Sequence, residues 1–327
     1  MTKKTILALL LAGAGIAGPH AHAQGGSVAN YPERPIRLVV GFPPGGATDI
    51  LARILSQYMP ESIGQPVVVD NRGGATGTIA AGIVAKAPPD GYTLLVQTTA
   101  SHTSNPHLYK KLPYDALNDF VGVTPLGRLV GVLTVHPSLP PRSVKEFIAL
   151  AKKHPNDILF GHAGYGSFIH LSTVLLESSA GIRITHVPFK GGGPAVVGIV
   201  SGQTHAMVAG IGDIIEHIKV KRVRPLGVTS PERVAQLAEL PVIADTIPGF
   251  ECTTWVSVFA PAGTPRAIID RLNAELGNAL RDPGIASRLS AVTYDATHKT
   301  PEELNQRVKA DYDRIGKVFR QLGVTLD

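Results

Sequence analysis

A strand-like run, a glycine-rich turn and an amphipathic stretch, joined without a gap between residues 36 and 58, constrain this chain more than any other feature. Ile36-Arg37-Leu38-Val39-Val40 reads as a buried strand. Beyond it Ile50, Leu51, Ile54, Leu55 and Tyr58 share one helical face. Between the two lies GFPPGGATD, residues 41–49. Pro43 and Pro44 stiffen this turn, while Gly45 and Gly46 allow positive φ and close approach of a guest. The amides of Ala47, Thr48 and Asp49 open the helix with no intrahelical acceptor, which makes a seat for an anion. No lysine or arginine stands between Gly41 and Ile50, so backbone dipoles are expected to hold that anion. The competing reading of the same residues is a tight strand-to-helix connection whose glycines serve packing alone.

The same alternation continues to the end of the chain and predicts an α/β protein with mainly parallel sheets flanked by helices. Strands are expected at 36–41, 66–70, 93–97, 130–135, 157–161, 183–187, 205–209, 223–228 and 253–260. Helix starts are marked by Ser143 with Glu146, by Thr264-Pro265, and by Thr300-Pro301 with Glu303. A chain of 327 residues exceeds one ordinary core, so two domains are expected. The rhythm changes at 124–131 and at 245–252, two stretches that can carry the chain out of one domain and back. The expected division is a first domain of 24–128 plus 250–327 and a second of 129–249, with a ligand cleft between them.

Residues 1–23 read as a secretory signal peptide, because Lys3 and Lys4 precede an apolar run and Ala21-His22-Ala23 supplies a cleavage site after Ala23. A periplasmic address follows. The GxGxxG at Gly13, Gly15 and Gly18 falls in that segment and has no strand or helix around it, so a dinucleotide site is rejected. Loss of Lys3 and Lys4 takes the formal charge from +6 to +4, a balance that suits small anions. Clustered cations with aromatic platforms are missing, which argues against nucleic acid. Lys219, Lys221, Arg222 and Arg224 read as a solvated turn, and the single Cys252 as a buried, inert thiol.

Two more turns carry candidate site residues. FGHAGYGS, 160–167, repeats the strand–glycine–helix pattern, with Ser167 as N-cap and amides of Gly166, Ser167 and Phe168 able to face an anion. His170 falls in the first turn beyond it, either as a ligand donor or as a structural histidine. Thr98, Thr99 and Ser101 end the strand 93–97, where α/β sheets bind ligands, although plain capping of the next turn explains them equally well. Catalysis finds no support: GxSxG, HExxH and GxxxxGK[ST] are all missing. His102 with His107, and His162 with His170, lack metal-ligand spacing and a carboxylate triad, so neither metal nor cofactor is expected. Asp49 at a helix N-terminus is a cap, too acidic for a base near neutral pH.

Taken in order, YPERPIRLVVGFPPGGATDILAR (31–53), GQPVVVDNR (64–72), AKAPPDGYTLL (85–95), NPHLYKKLPYD (105–115), HVPFKGGGPA (186–195) and FAPAGTP (259–265) resemble the Bug-type solute receptors of tripartite tricarboxylate transporters. The resemblance spans 31–324. It implies a two-domain periplasmic binding protein of the type II kind, monomeric, not an enzyme, closing like a flytrap on a small carboxylate. It also implies delivery to a membrane permease of one large and one small subunit; an orphan receptor serving a signalling partner is the alternative. Carried over by position, Phe42, Gly45, Gly46, Ala47, Thr48 and Asp49 form the carboxylate seat. Ala163, Gly164, Gly166, Ser167 and His170 form the opposite lip, and Thr98 and Ser101 the polar turn. The chain departs from the pattern at NRGGATG (71–77), at Pro60, expected to interrupt the first helix, and at Ser257. Ala209-Gly210 replaces a more usual Asp-Asn, with Asp213 just beyond in a segment that faces the cleft.

Overall fold

The computed structural model describes residues 30–291 and 294–322, so the expected signal peptide lies outside the described residues. From Pro32 onward the chain forms one compact unit. Its elements begin with β1 (Ile36–Val40), α1 (Ala47–Ile63), β2 (Val67–Asn71), α2 (Thr78–Ala85), β3 (Thr93–Thr98), α3 (Ala100–Thr103), α4 (Asn105–Leu108) and β4 (Phe120–Val135). Next come α5 (Val144–Lys153), β5 (Leu159–His162), α6 (Phe168–Ala180), β6 (Thr185–Pro188), α7 (Gly192–Val200), β7 (Ala206–Gly210), α8 (Ile211–Lys219) and β8 (Arg224–Val228). β9 (Thr253–Pro261), α9 (Arg266–Arg281), α10 (Pro283–Ala291), β10 (Tyr294–Ala296) and α11 (Pro301–Leu322) follow.

The strands join in one mixed sheet, ordered β2-β1-β3-β9-β4-β7-β5-β6, with β8 and β10 also on β4. The ladders are parallel on both flanks, where β1 meets β2 and β3 and where β5 meets β6 and β7. Through the middle they are antiparallel, because β9 returns against β3 and β4. The 16-residue β4 is the common element: residues 120–130 pair with β9 and 131–135 with β7. The stretch 124–131 is therefore the middle of a strand, and the strand begins ten residues before its expected start at 130. Pro125 cannot donate to the ladder, and a register shift between Pro125 and Gly127 absorbs it.

Two of the three marked helix starts form as their signals indicate. In contrast, α9 begins at Arg266 with Pro265 as N-cap, because Thr264 Oγ1 donates to the Pro261 carbonyl at 2.7 Å instead of capping the helix. Ser143 caps α5 by accepting the Glu146 amide at 3.2 Å, as the capping box requires. A second expectation is corrected: α1 runs through Pro60 to Ile63. Pro60 sits in the last turn, where it removes a single ladder bond, and Gly64 closes the helix in the left-handed region. Beneath one half of the sheet Val39, Leu95, Phe120, Trp255 and Phe259 pack with Leu304 and Val308 of α11. In the other half Phe147 and Phe160 meet edge to face at 6.4 Å. Cys252 is buried, accepts the Ser172 hydroxyl at 3.1 Å, and burial pushes its thiol up to about 11.

The carboxyl ends of β1 and β3 are brought together by Gln97, whose side chain occupies space left by two glycines. A Cβ at Gly77 would fall 1.5 Å from Gln97 Nε2 and one at Gly41 2.4 Å from it, and Gly77 also has φ +84°. Gly77→Ala is expected to lower stability by more than about 1 kcal/mol, seen as a lower urea midpoint at unchanged slope. An unchanged midpoint would contradict this packing.

Candidate functional site

The turn after β1 leads Phe42, Pro43, Pro44, Gly45 and Gly46 to the mouth of a cavity of about 170 Å³. Thr48, Thr98, Leu129, Ala163, Ser167, Gly191 and Asp213 stand elsewhere on its wall. Four helices begin at this cavity. The N-caps Gly46 of α1, Ser167 of α6, Gly191 of α7 and Gly210 of α8 all line it. Three of the four are glycines that make no side-chain cap, which leaves first-turn amides open to a guest. Each N-terminus carries the equivalent of about half a positive charge. Among the described lining residues there is no Lys, Arg or His, and Asp213 is the one carboxylate. The cavity is thus positive by backbone geometry.

The loop 41–49 is braced from behind. Asp49 Oδ2 accepts the Gly45 amide at 2.8 Å and Arg53 Nε at 2.9 Å. Asn71 donates to Asp49 Oδ1 at 2.9 Å and to the Phe42 carbonyl at 3.0 Å. Burial alone would raise the Asp49 pKa, but hydrogen bonds from Arg53, Gly45 and Asn71 outweigh it and hold the carboxyl below its ordinary range. Two expectations are corrected as a result. The Gly45 amide is engaged by Asp49 and is not available to a guest, and Asp49 lies behind the wall as a brace. Ala47 opens α1 through its backbone, next to Thr48, which lines the cavity.

The opposite lip is built as its sequence indicates. Ser167 Oγ accepts the His170 amide at 3.2 Å, and Ala163 and Ser167 reach the cavity. Gly164 and Gly166 do not line it; they shape the lip, with φ of +103° and +80°. A Cβ on Gly166 would come within 2.7 Å of Asn105 Oδ1, so the close meeting of the two lips needs glycine there. Across that meeting Thr76 Oγ1 donates to the Tyr165 carbonyl at 2.6 Å. Thr76 has φ +52°, a strained setting for a β-branched residue, held by contacts from both lips.

Thr98 is on the wall, but Ser101 is not: its hydroxyl pairs with His102 Nδ1 at 2.9 Å in the interior. His170 also lies off the cavity. Its ring faces His162, with centroids 4.8 Å apart, and His186 at 5.4 Å. Burial, helped by the two neighbouring rings, pushes His170 down to about 3. Burial likewise takes His162 down to about 4, opposed by the nearby Gly164 backbone. His186, which the sequence reading did not group with them, stands beside these two rings, and its Nε2 lies 2.8 Å from Glu177 Oε2.

Sequence reasoning missed the N-terminus of α7, whereas the start of α8 was expected to face the cleft, and Gly210 and Asp213 both line the cavity. The signal for the first was present, because Gly191-Gly192-Gly193-Pro194 follows β6 much as the glycine–proline turn follows β1. Leu129 had none, since only the pairing of β4 brings it to the cavity.

Residues 51–324 match the family model described as tripartite tricarboxylate transporter family receptor. Protein BugT of Bordetella pertussis is 34% identical over 323 residues, which span 98% of this chain and 97% of that one. The R. palustris protein Rpa4515, solved with adipate, is 35% identical with a TM-score of 0.87, covering 90% of this chain and all of its own. MatC from Rhodopseudomonas palustris, solved with bound malate, is 32% identical with a TM-score of 0.83, covering 88% of this chain and 99% of its own. The chain belongs to the Bug-type receptors of the tripartite tricarboxylate transporter family, solute-binding proteins and not enzymes.

Proposed function

We propose that this receptor captures a small organic carboxylate in the periplasm and delivers it to a membrane permease of one large and one small subunit. The convergence of four helix N-termini on one cavity, with no cation in its wall, supports the reading most strongly. One carboxylate group sits against the backbone amides at the start of α1, from Gly46 to Asp49, with Phe42 beside it. The α6 turn, with Ala163 and Ser167, closes from the other side, and Thr98 supplies a hydroxyl. The lobes divide at 128/129 and 249/250, so that the passage along β4 and the return before β9 act as the hinge of a monomer.

Charge-assisted hydrogen bonds contribute roughly 1.5–3 kcal/mol each, so three to five give micromolar affinity, about −8 kcal/mol, after ordering costs. Asp213, in the first turn of α8, adds a carboxylate to the same wall. Adipate and malate in the two solved neighbours show acids of this size in related receptors.

Thermal unfolding against a panel of mono- and dicarboxylates, neutral sugars and amines tests this. An acid at about 100 times its Kd is expected to add roughly 2.7 kcal/mol, a shift that neutral sugars do not produce. Stabilisation by sugars or amines alone would overturn the proposal. For transport, loss of uptake of that acid in a deletion strain, restored by the gene, is expected; unchanged uptake would count against it.

Two substitutions test the seat itself. Gly46→Pro removes one amide at φ −79°, an angle proline tolerates, and is expected to weaken binding at least tenfold by calorimetry. Gly46→Ala keeps the amide, with its nearest new contact at an ordinary 3.7 Å, and is expected to bind within about threefold of wild type. The Asp49 brace gives a pH signature. Because its folded pKa is depressed, it stabilises above the unfolded value of about 3.9 and is lost as pH falls through the folded value. Asp49→Asn is expected to be less stable than wild type at pH 7, with the gap closing below about pH 4. Parallel stability curves would refute the brace.

A further inference from the structure

Behind the lip that carries Ser167, three imidazoles from three separate elements face one another. His162 ends β5, His170 is the third residue of α6, and His186 lies on β6. Each can present one ring nitrogen such that these atoms all lie within 4.8 Å of one another. His186 donates or accepts through Nε2 with Glu177 at 2.8 Å; next to a carboxylate that nitrogen carries the proton, which leaves the lone pair on Nδ1. Nδ1 of His186 is buried and has no hydrogen-bond partner. Neither nitrogen of His162, a fully buried residue, completes a well-aligned hydrogen bond, although the Gly164 backbone lies near the ring. Buried polar nitrogens are rarely left so, and a cluster that holds unpartnered nitrogens of two imidazoles calls for a ligand.

We propose that His162, His170 and His186 bind one divalent first-row transition ion of the zinc, copper or nickel type, with Glu177 orienting His186. Imidazole donors select such ions over calcium and magnesium, which take oxygen ligands. The carboxylate–histidine–metal relay is the usual second layer of such centres. Zinc–nitrogen bonds of about 2.0–2.1 Å set ligand atoms roughly 3.4 Å apart, so each ring must move inward by less than about 0.8 Å. His170 must also release the Gly166 amide, which reaches its Nδ1 at a long 3.3 Å. Water completes the coordination. The ion enters past His186 and Glu177, whose side chains are each 21% exposed. None of the three histidines lines the solute cavity, so the site is separate from the carboxylate seat.

Tag-free protein stripped with a chelator tests the site by competition between the chain and a chromophoric zinc chelator. One tightly held ion per chain is expected, with excess Ca²⁺ unable to displace it. Glu177→Gln is expected to weaken zinc 10–100-fold, and His186→Ala at least as much, with far-ultraviolet circular dichroism confirming that both are folded. His217→Ala, near the C-terminal end of α8 and outside the histidine cluster, should leave affinity unchanged. Should His186→Ala not fold, copper resonance of the wild-type protein decides, and hyperfine coupling to three nitrogens is expected. No zinc bound below about 100 µM, equal affinity in the folded Glu177→Gln and His186→Ala proteins, or coupling to fewer than three nitrogens overturns the proposal.

Discussion

The convergence of the N-termini of α1, α6, α7 and α8 on one cavity is the constraint on which the rest of this structure turns. A helix end left open inside a protein is costly, so an arrangement that gathers four of them around one cavity must expect a guest with acceptor oxygens. Three of the four caps are glycines with no side-chain oxygen to satisfy their own helices. Backbone donors also lack rotamers to freeze, so a ligand binding them loses less than it would on a lysine.

Holding those amides still requires a rigid surround, and the charged residues serve that purpose here. Arg53, Asp49 and Asn71 form a hydrogen-bonded brace behind the first turn instead of meeting the ligand. Gln97 fills the notch between Gly41 and Gly77 below it. Opposite, the bond from Thr76 to Tyr165 joins the two lips at a residue whose own backbone is strained.

Much of this is legible in the sequence, for identifiable reasons. The turns after β1 and β5 announced themselves because glycine, proline and serine at helix starts carry local geometry in their chemistry. Ser143 and Ser167 cap as their spacing requires. What stayed hidden depends on distance in the chain. Asp49 looks like a donor position until Asn71, 22 residues away, takes its other oxygen. The histidines look scattered until parallel pairing of β5 with β6 sets His186 opposite Phe160, two residues from His162. β4 looked short because its first half, FVGVTPLG, contains a proline and two glycines, and only its antiparallel neighbour β9 makes a strand of it.

The central claim is that backbone amides, and no cationic side chain, hold the acid. A crystal structure with a stabilising dicarboxylate bound tests it most directly. The expected result is a carboxylate oxygen about 3 Å from first-turn amides of α1, with no lysine or arginine nitrogen in contact. An acid group paired with a lysine or arginine, or resting outside this cavity, would contradict it.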